Sequence, residues 1–231
     1  MKIICSILFL LCGNLFAWIG EDYGKYDFAG FEKLDIANQS IDVKNIDYSL
    51  LNAAVFYETN KERVLHGKSV LKHEPVLEKA AQGHCIAMVN YNFFSHESPV
   101  RGQRIARERI NKAGLDTKDK IVGENLTDIF AIEYEEGRQV YPPNEEKDYF
   151  SYEVNGAPIK NHTYLGFAKA ALITLMNSKE HKENLLNDKY VYLGVGSAYY
   201  EDAGTSNMPR FKAAQNFCGN PIKIRKIKLK K

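Results

Sequence analysis

Only four cysteines occur in 231 residues, and no Cys-x-x-Cys pair is among them, which excludes a disulfide scaffold and the common thiolate zinc sites. Other chemistries are missing too. His96 runs into Glu-Ser-Pro-Val-Arg, so no His-Glu-x-x-His zinc motif forms, and neither a glycine-rich phosphate loop nor a Gly-x-Ser-x-Gly elbow occurs. Gly194 and Gly196 make only a Gly-x-Gly inside a strand pattern. No internal repeat recurs. Charge of one sign is lacking as well: 31 Lys and Arg stand against 29 Asp and Glu, a net +2. Six of the bases crowd into the last eleven residues, and setting these and Lys2 aside leaves 24 basic against 29 acidic residues, or −5. The body is mildly acidic and has no basic stripe, so no nucleic-acid partner is expected.

What is present is an ordinary globular composition, 45% apolar and 26% charged with 16 Gly and 7 Pro, which excludes collagen-like, disordered and coiled-coil chains. A chain of this length buries about 70% of its unfolded surface, enough for one large core without stapling. The start reads as a secretory signal over residues 1–17: Met-Lys, an apolar stretch, then the small Ala17. Lipoprotein anchoring at Cys12 is the less favoured alternative, because Leu11 stands where a small residue belongs. Nothing later approaches about 18 consecutive apolar residues, so the exported chain is expected to be soluble. Export removes Cys5 and Cys12. Cys85 and Cys218 remain, either paired or as buried free thiols, and both readings stand.

Residues 18–46 are weakly periodic and form a leader segment laid on the domain or partly mobile, and the domain proper spans 47–220. Asp47 and Ser49 precede a helix over LLNAAVFYETNKERVL that ends at Gly67. A second helix is marked by Val76, Leu77, Ala80, Ala81, His84, Cys85 and Met88, one stripe at helical spacing; His84 lies inside it and reads as a core histidine. A third, RGQRIARERINKAGL, closes at Gly114. Helix resumes at LGFAKAALITLMNS, and two strands follow, YVYLGVGSAYY and RFKAAQNF. Helices first and strands later predict an α+β layer arrangement. Between 130 and 163 the composition shifts to Tyr, Glu, Asn and Pro, an insertion with one hairpin signal at Asn155-Gly156 and an edge strand at Pro158.

Polar clusters end each structured block: FFSH at 93–96, VGENL at 122–126, and LMNSKEHKENLLN at 175–187. With NKERVLHGKSVL from Asn60 and YLGVG at 192–196, these five ordered motifs resemble the CAP superfamily (cysteine-rich secretory proteins, antigen 5 and pathogenesis-related 1 proteins) in its bacterial SCP-domain branch. The resemblance covers roughly 53–128 and 164–218. It implies a three-layer α-β-α sandwich with an antiparallel sheet between helices, and a polar cleft holding two histidines and two glutamates. His96, Glu124 and His181 match three of the four; Ser178 occupies the position of the second glutamate, with Glu180 and Asn125 as neighbours. The family's Trp at the start of the fourth motif is Leu175 here.

Two imidazoles and a carboxylate suffice to hold Zn²⁺ or another divalent cation with an open position for an activated water. The same groups also serve as a hydrogen-bonded brace of chain ends. Metal centre, structural network and catalysis therefore all stand. Two functions follow: a monomeric, non-enzymatic secreted or envelope module that binds a small ligand, lipid or protein at the cleft, or a metal-dependent, peptidase-like hydrolase using His96, Glu124 and His181. The resemblance favours the first. The insertion, whose ends flank GENL and the helix leading to His181, is expected to overhang the cleft as a lid. The basic tail 221–231 is expected either to solubilise the chain end or to attract it weakly to an anionic membrane surface.

Overall fold

The computed structural model describes residues 18–221. The N-terminal stretch with Cys5, Cys12 and the signal pattern, and the tail beyond Pro221, lie outside the described residues. The leader forms a 3-10 turn at Gly20–Gly24, a short helix α1 at Phe28–Phe31, and a second 3-10 turn at Asp35–Asn38. Its apolar residues enter the main core: Trp18, Phe31, Ala37 and Ile41 are all buried there. Trp18 meets Phe31 and Tyr57 edge-on at 5.3 and 5.8 Å.

Helix α2 (Tyr48–Leu65) starts where the Asp47 carboxylate accepts the Leu50 N–H at 2.9 Å, a side-chain N-cap that satisfies one of the donors a helix start leaves open. Gly67, at φ 70°, turns the chain out of it. The Asn60–Arg63 part of the first motif is structural. Asn60 bonds both the N–H and the C=O of Leu71, and the fully buried Arg63 donates to the carbonyls of Ser69, Leu185 and Asn187. Helix α3 (Pro75–Asn90) opens with proline in its first turn, where a missing N–H costs nothing. Its expected stripe, Leu77 to Met88 with His84 and Cys85, is buried. The third helix is shorter than its sequence pattern, with α4 covering Ala106–Ala113, because Gly102 at φ 71° turns the chain before it.

Four strands make one sheet in the order β1-β3-β4-β2: β1 (Lys72–His73), β2 (Lys120–Phe130), β3 (Tyr190–Asp202) and β4 (Met208–Pro221). The three long strands are antiparallel, and the two-residue β1 joins β3 in parallel. Side chains alternate across the sheet. Leu193, Val195, Phe211, Phe217 and Ile129 face the layer of α2, α5 (Tyr164–Asn177) and α6 (Lys179–Leu185). Leu126, Ala198, Ala214 and Cys218 face α3 and α4. The result is the expected α-β-α sandwich. Gly194 and Gly196 let α3 lie directly on β3: a Cβ at either would fall 2.0 Å from Glu78 N or 2.1 Å from Gln82 N.

Of the two readings for Cys85 and Cys218, the structure gives the second: they do not pair, and both are buried free thiols, Cys85 on α3 in a cluster with Ala81 and Met88, and Cys218 on β4 in another with Leu77 and Ala80. One expectation needs correction. The insertion is no lid over the GENL region. Glu124 is only the fifth residue of the eleven-residue β2, so the strand carries the chain six residues further, roughly 20 Å at ~3.3 Å per residue, before the insertion begins. There an antiparallel bridge from Ser151 to Pro158 closes the chain around Asn155-Gly156, and Tyr141 bridges to Ser151 as well. Ile132, Phe150 and Ile159 close a small core of their own with Met208 of β4.

Candidate functional site

Because β2 lies at the sheet edge, both helical layers meet along it, and successive residues of GEN point to opposite sides. Glu124 faces the α3–α4 side. From the loop between those helices His96 brings its Nδ1 to 2.8 Å of Glu124 Oε1, and from α4 the guanidinium of Arg109 donates to Oε2 at 2.6 Å. The Glu124 and Arg109 side chains are 4% and 2% exposed, while His96 is 57% exposed. Arg109 also donates to the carbonyls of His96, Gln103 and Arg104 at 3.0–3.2 Å, so one buried cation gathers the whole α3–α4 loop around the carboxylate. Neither the motifs nor the periodicity singled out Arg109. The only sign is its place beside Ile110, the sole large apolar residue within α4.

These contacts set the protonation. Burial pushes the Glu124 carboxyl up, but the His96 hydrogen bond and the Arg109 charge outweigh it and hold the carboxyl below its ordinary range. The same hydrogen bond to Glu124 raises His96, against partial burial. His84, close by, is fully buried: its Nε2 lies 3.0 Å from the Ser95 carbonyl, its Nδ1 has no partner among the described residues, and burial drives it down to about 4. It is therefore neutral, donates through Nε2 to that carbonyl, and fixes the loop leading to His96.

Asn125 faces α6. Its amide donates to the backbone carbonyl of His181 at 3.1 Å and to Gln215 at 3.2 Å. Asn184 of the third cluster donates to the Asn125 side chain and the Glu124 carbonyl. GEN and KEHKEN are thus joined backbone to side chain. His181 is half-buried, and its imidazole is lowered by burial and then by the charge of His96, with Glu180 opposing. Among the described residues, no hydrogen bond or ion pair joins the His181 side chain to His96 or Glu124. Ser178 sits between α5 and α6 and makes no capping bond with its side chain, and Glu180 is exposed. Ser95 and Ser98 accept the N–H groups of Glu97 and Val100 and serve the turn.

The three residues matched to the cleft do not fit a first coordination shell as they stand. Both oxygens of Glu124 are engaged, one by a permanently charged guanidinium. Among the described residues, no group of three or more His, Cys, Asp or Glu side chains is arranged to hold a metal ion. The arrangement instead suits a carboxylate that neutralises Arg109, orients His96 through Nδ1, and leaves the imidazole more than half exposed.

The family model "CAP: Cysteine-rich secretory protein family" matches residues 56–217. Among solved structures, the chain is similar to an extracellular SCP-domain protein from Bacillus anthracis, at 22% identity and TM-score 0.48 over 74% of this chain and 40% of that one. It is also similar to an outer surface protein from Borrelia burgdorferi, at 16% identity and TM-score 0.46 over 79% and 98%, and to a cysteine-rich secretory protein from Staphylococcus aureus, at 17% and 0.41 over 74% and 39%. The chain thus spans about 40% of the length of the Bacillus protein. No curated protein matches it.

Proposed function

Because the chain belongs to the CAP family of cysteine-rich secretory proteins, we propose that it is a secreted or cell-envelope binding module, without catalytic activity, that engages its partner at the edge of β2 beside His96. The observation that carries this reading is the engagement of both Glu124 oxygens, one of them by a permanently charged guanidinium. A general base needs a lone pair within reach of the proton that it takes, and a catalytic zinc site needs its ligands free to converge. Here the one buried carboxylate of the site accepts from His96 and Arg109 and is shut from solvent. Its chemistry is spent on holding the loop. The apolar N-terminal stretch supports export, and a partner there meets an exposed imidazole on a rigid base.

The competing reading is a hydrolase. Product release from labelled casein, with Zn²⁺ in excess, separates the two when wild type is compared with Glu124→Gln. The binding-module reading expects no product from either protein. Turnover by the wild type that disappears in the variant overturns it.

A further inference from the structure

We propose a second binding site, sharing no residue with the His96 region, where the leader meets α2 and β1: a cavity that takes a flat aromatic ring bearing a hydrogen-bond donor, such as a phenol, indole or nucleobase. The cavity is about 550 Å³, within the range of small-molecule sites. Phe56, Tyr57, Tyr23 and His73 line it, with Tyr26 and Val70 exposed at the mouth. Residue 23 comes from the leader, so the site depends on a segment that precedes the matched CAP region at 56–217.

Its polar floor is specific. The His73 ring stacks on Tyr23 with centroids 3.6 Å apart and planes 4° from parallel. His73 Nε2 lies 2.5 Å from Glu78 Oε2, and the Tyr23 hydroxyl donates to the same oxygen at 3.2 Å. Both donors of the cluster are therefore spent on one carboxylate. What remains is His73 Nδ1, which has no partner among the described residues and, in a neutral ring whose Nε2–H donates to the carboxylate, is an acceptor. The aromatic walls fit a flat ring, the acceptor calls for a donor on that ring, and the Glu78 charge behind it disfavours an anionic one.

The chain has one tryptophan, and Trp18 lies 5.7 Å from Tyr23 and 5.8 Å from Tyr57, so its selectively excited fluorescence reports occupancy. Titration with p-cresol, toluene and cyclohexanol is the test. Cresol should bind about five- to tenfold tighter than toluene, the worth of one hydrogen bond, and cyclohexanol more weakly than cresol. His73→Phe keeps the stacked ring and should erase the cresol preference while leaving toluene unchanged. A side chain added at Gly24 meets no atom within 4 Å, so Gly24→Leu narrows the cavity without touching the polar cluster and should weaken cresol and toluene alike. Absence of saturable binding, equal affinity for all three probes, or binding indifferent to both variants in proteins that still melt cooperatively overturns the proposal.

Discussion

Arg109→Leu is the perturbation that asks most of this structure. It removes the cation from a carboxylate that is 4% exposed and strips a donor from the carbonyls of His96, Gln103 and Arg104. Removing one partner of a buried ion pair costs about 3–5 kcal/mol. Against a total stability of about 5–15 kcal/mol, the variant should stay folded but lie much nearer its limit. For a chain of this size, each kcal/mol lowers Tm by about 2–4 °C, so a drop of roughly 8–16 °C follows from a loss near 4 kcal/mol. Urea unfolding followed by circular dichroism measures it, with an unchanged slope confirming that the cooperative unit is intact. Adding Glu124→Leu to Arg109→Leu should return a large part of the loss, because the cost lies in the orphaned charge and not in missing packing. A loss below about 1 kcal/mol for the single variant, or a double variant worse than the single by the full cost again, would refute the buried-brace reasoning.

Acid should remove the contribution of Glu124. Its folded pKa lies below the ordinary 4.5, so the stability it adds is present above 4.5 and is lost as pH falls through the folded value; the stability gap between wild type and Glu124→Gln should close in that window. His96 runs the other way, raised from 6.5, adding stability below 6.5 that fades as pH rises through its folded value. Being 57% exposed, it should cost under about 1 kcal/mol as His96→Ala by chemical denaturation. Gly196→Ala should destabilise by about 1–3 kcal/mol, since the new Cβ collides with backbone of α3; a neutral result would mean that the helix gives way freely. Phe150→Ala should cost about 3 kcal/mol in the insertion's own core while leaving the His96 imidazole titration, followed by NMR, where it was.

Much of the layer arrangement was readable because it rests on local patterns. The α3 stripe is a 3.6-residue period, the late strands are β-branched and aromatic runs, and the five motifs arrive in family order. Arg109 was not readable, since a buried arginine looks like any surface arginine until its carboxylate is placed opposite it across about fifteen residues of sequence. GENL gave polar residues but not the strand that separates Glu124 from Asn125 onto opposite faces. The direction of the insertion was lost for the same reason: without the length of β2, its starting point could not be set at the far end of the sheet. The leader's burial came from aromatic contacts between distant segments, which no periodicity reports.

The role of Glu124 is tested most directly by calorimetric titration of Zn²⁺ into the exported chain purified without chelator, beside Glu124→Gln. A carboxylate committed to His96 and Arg109 predicts no stoichiometric uptake that depends on Glu124, so the two proteins should give the same isotherm. One-to-one binding by the wild type that is lost in Glu124→Gln would make Glu124 a metal ligand and contradict the brace.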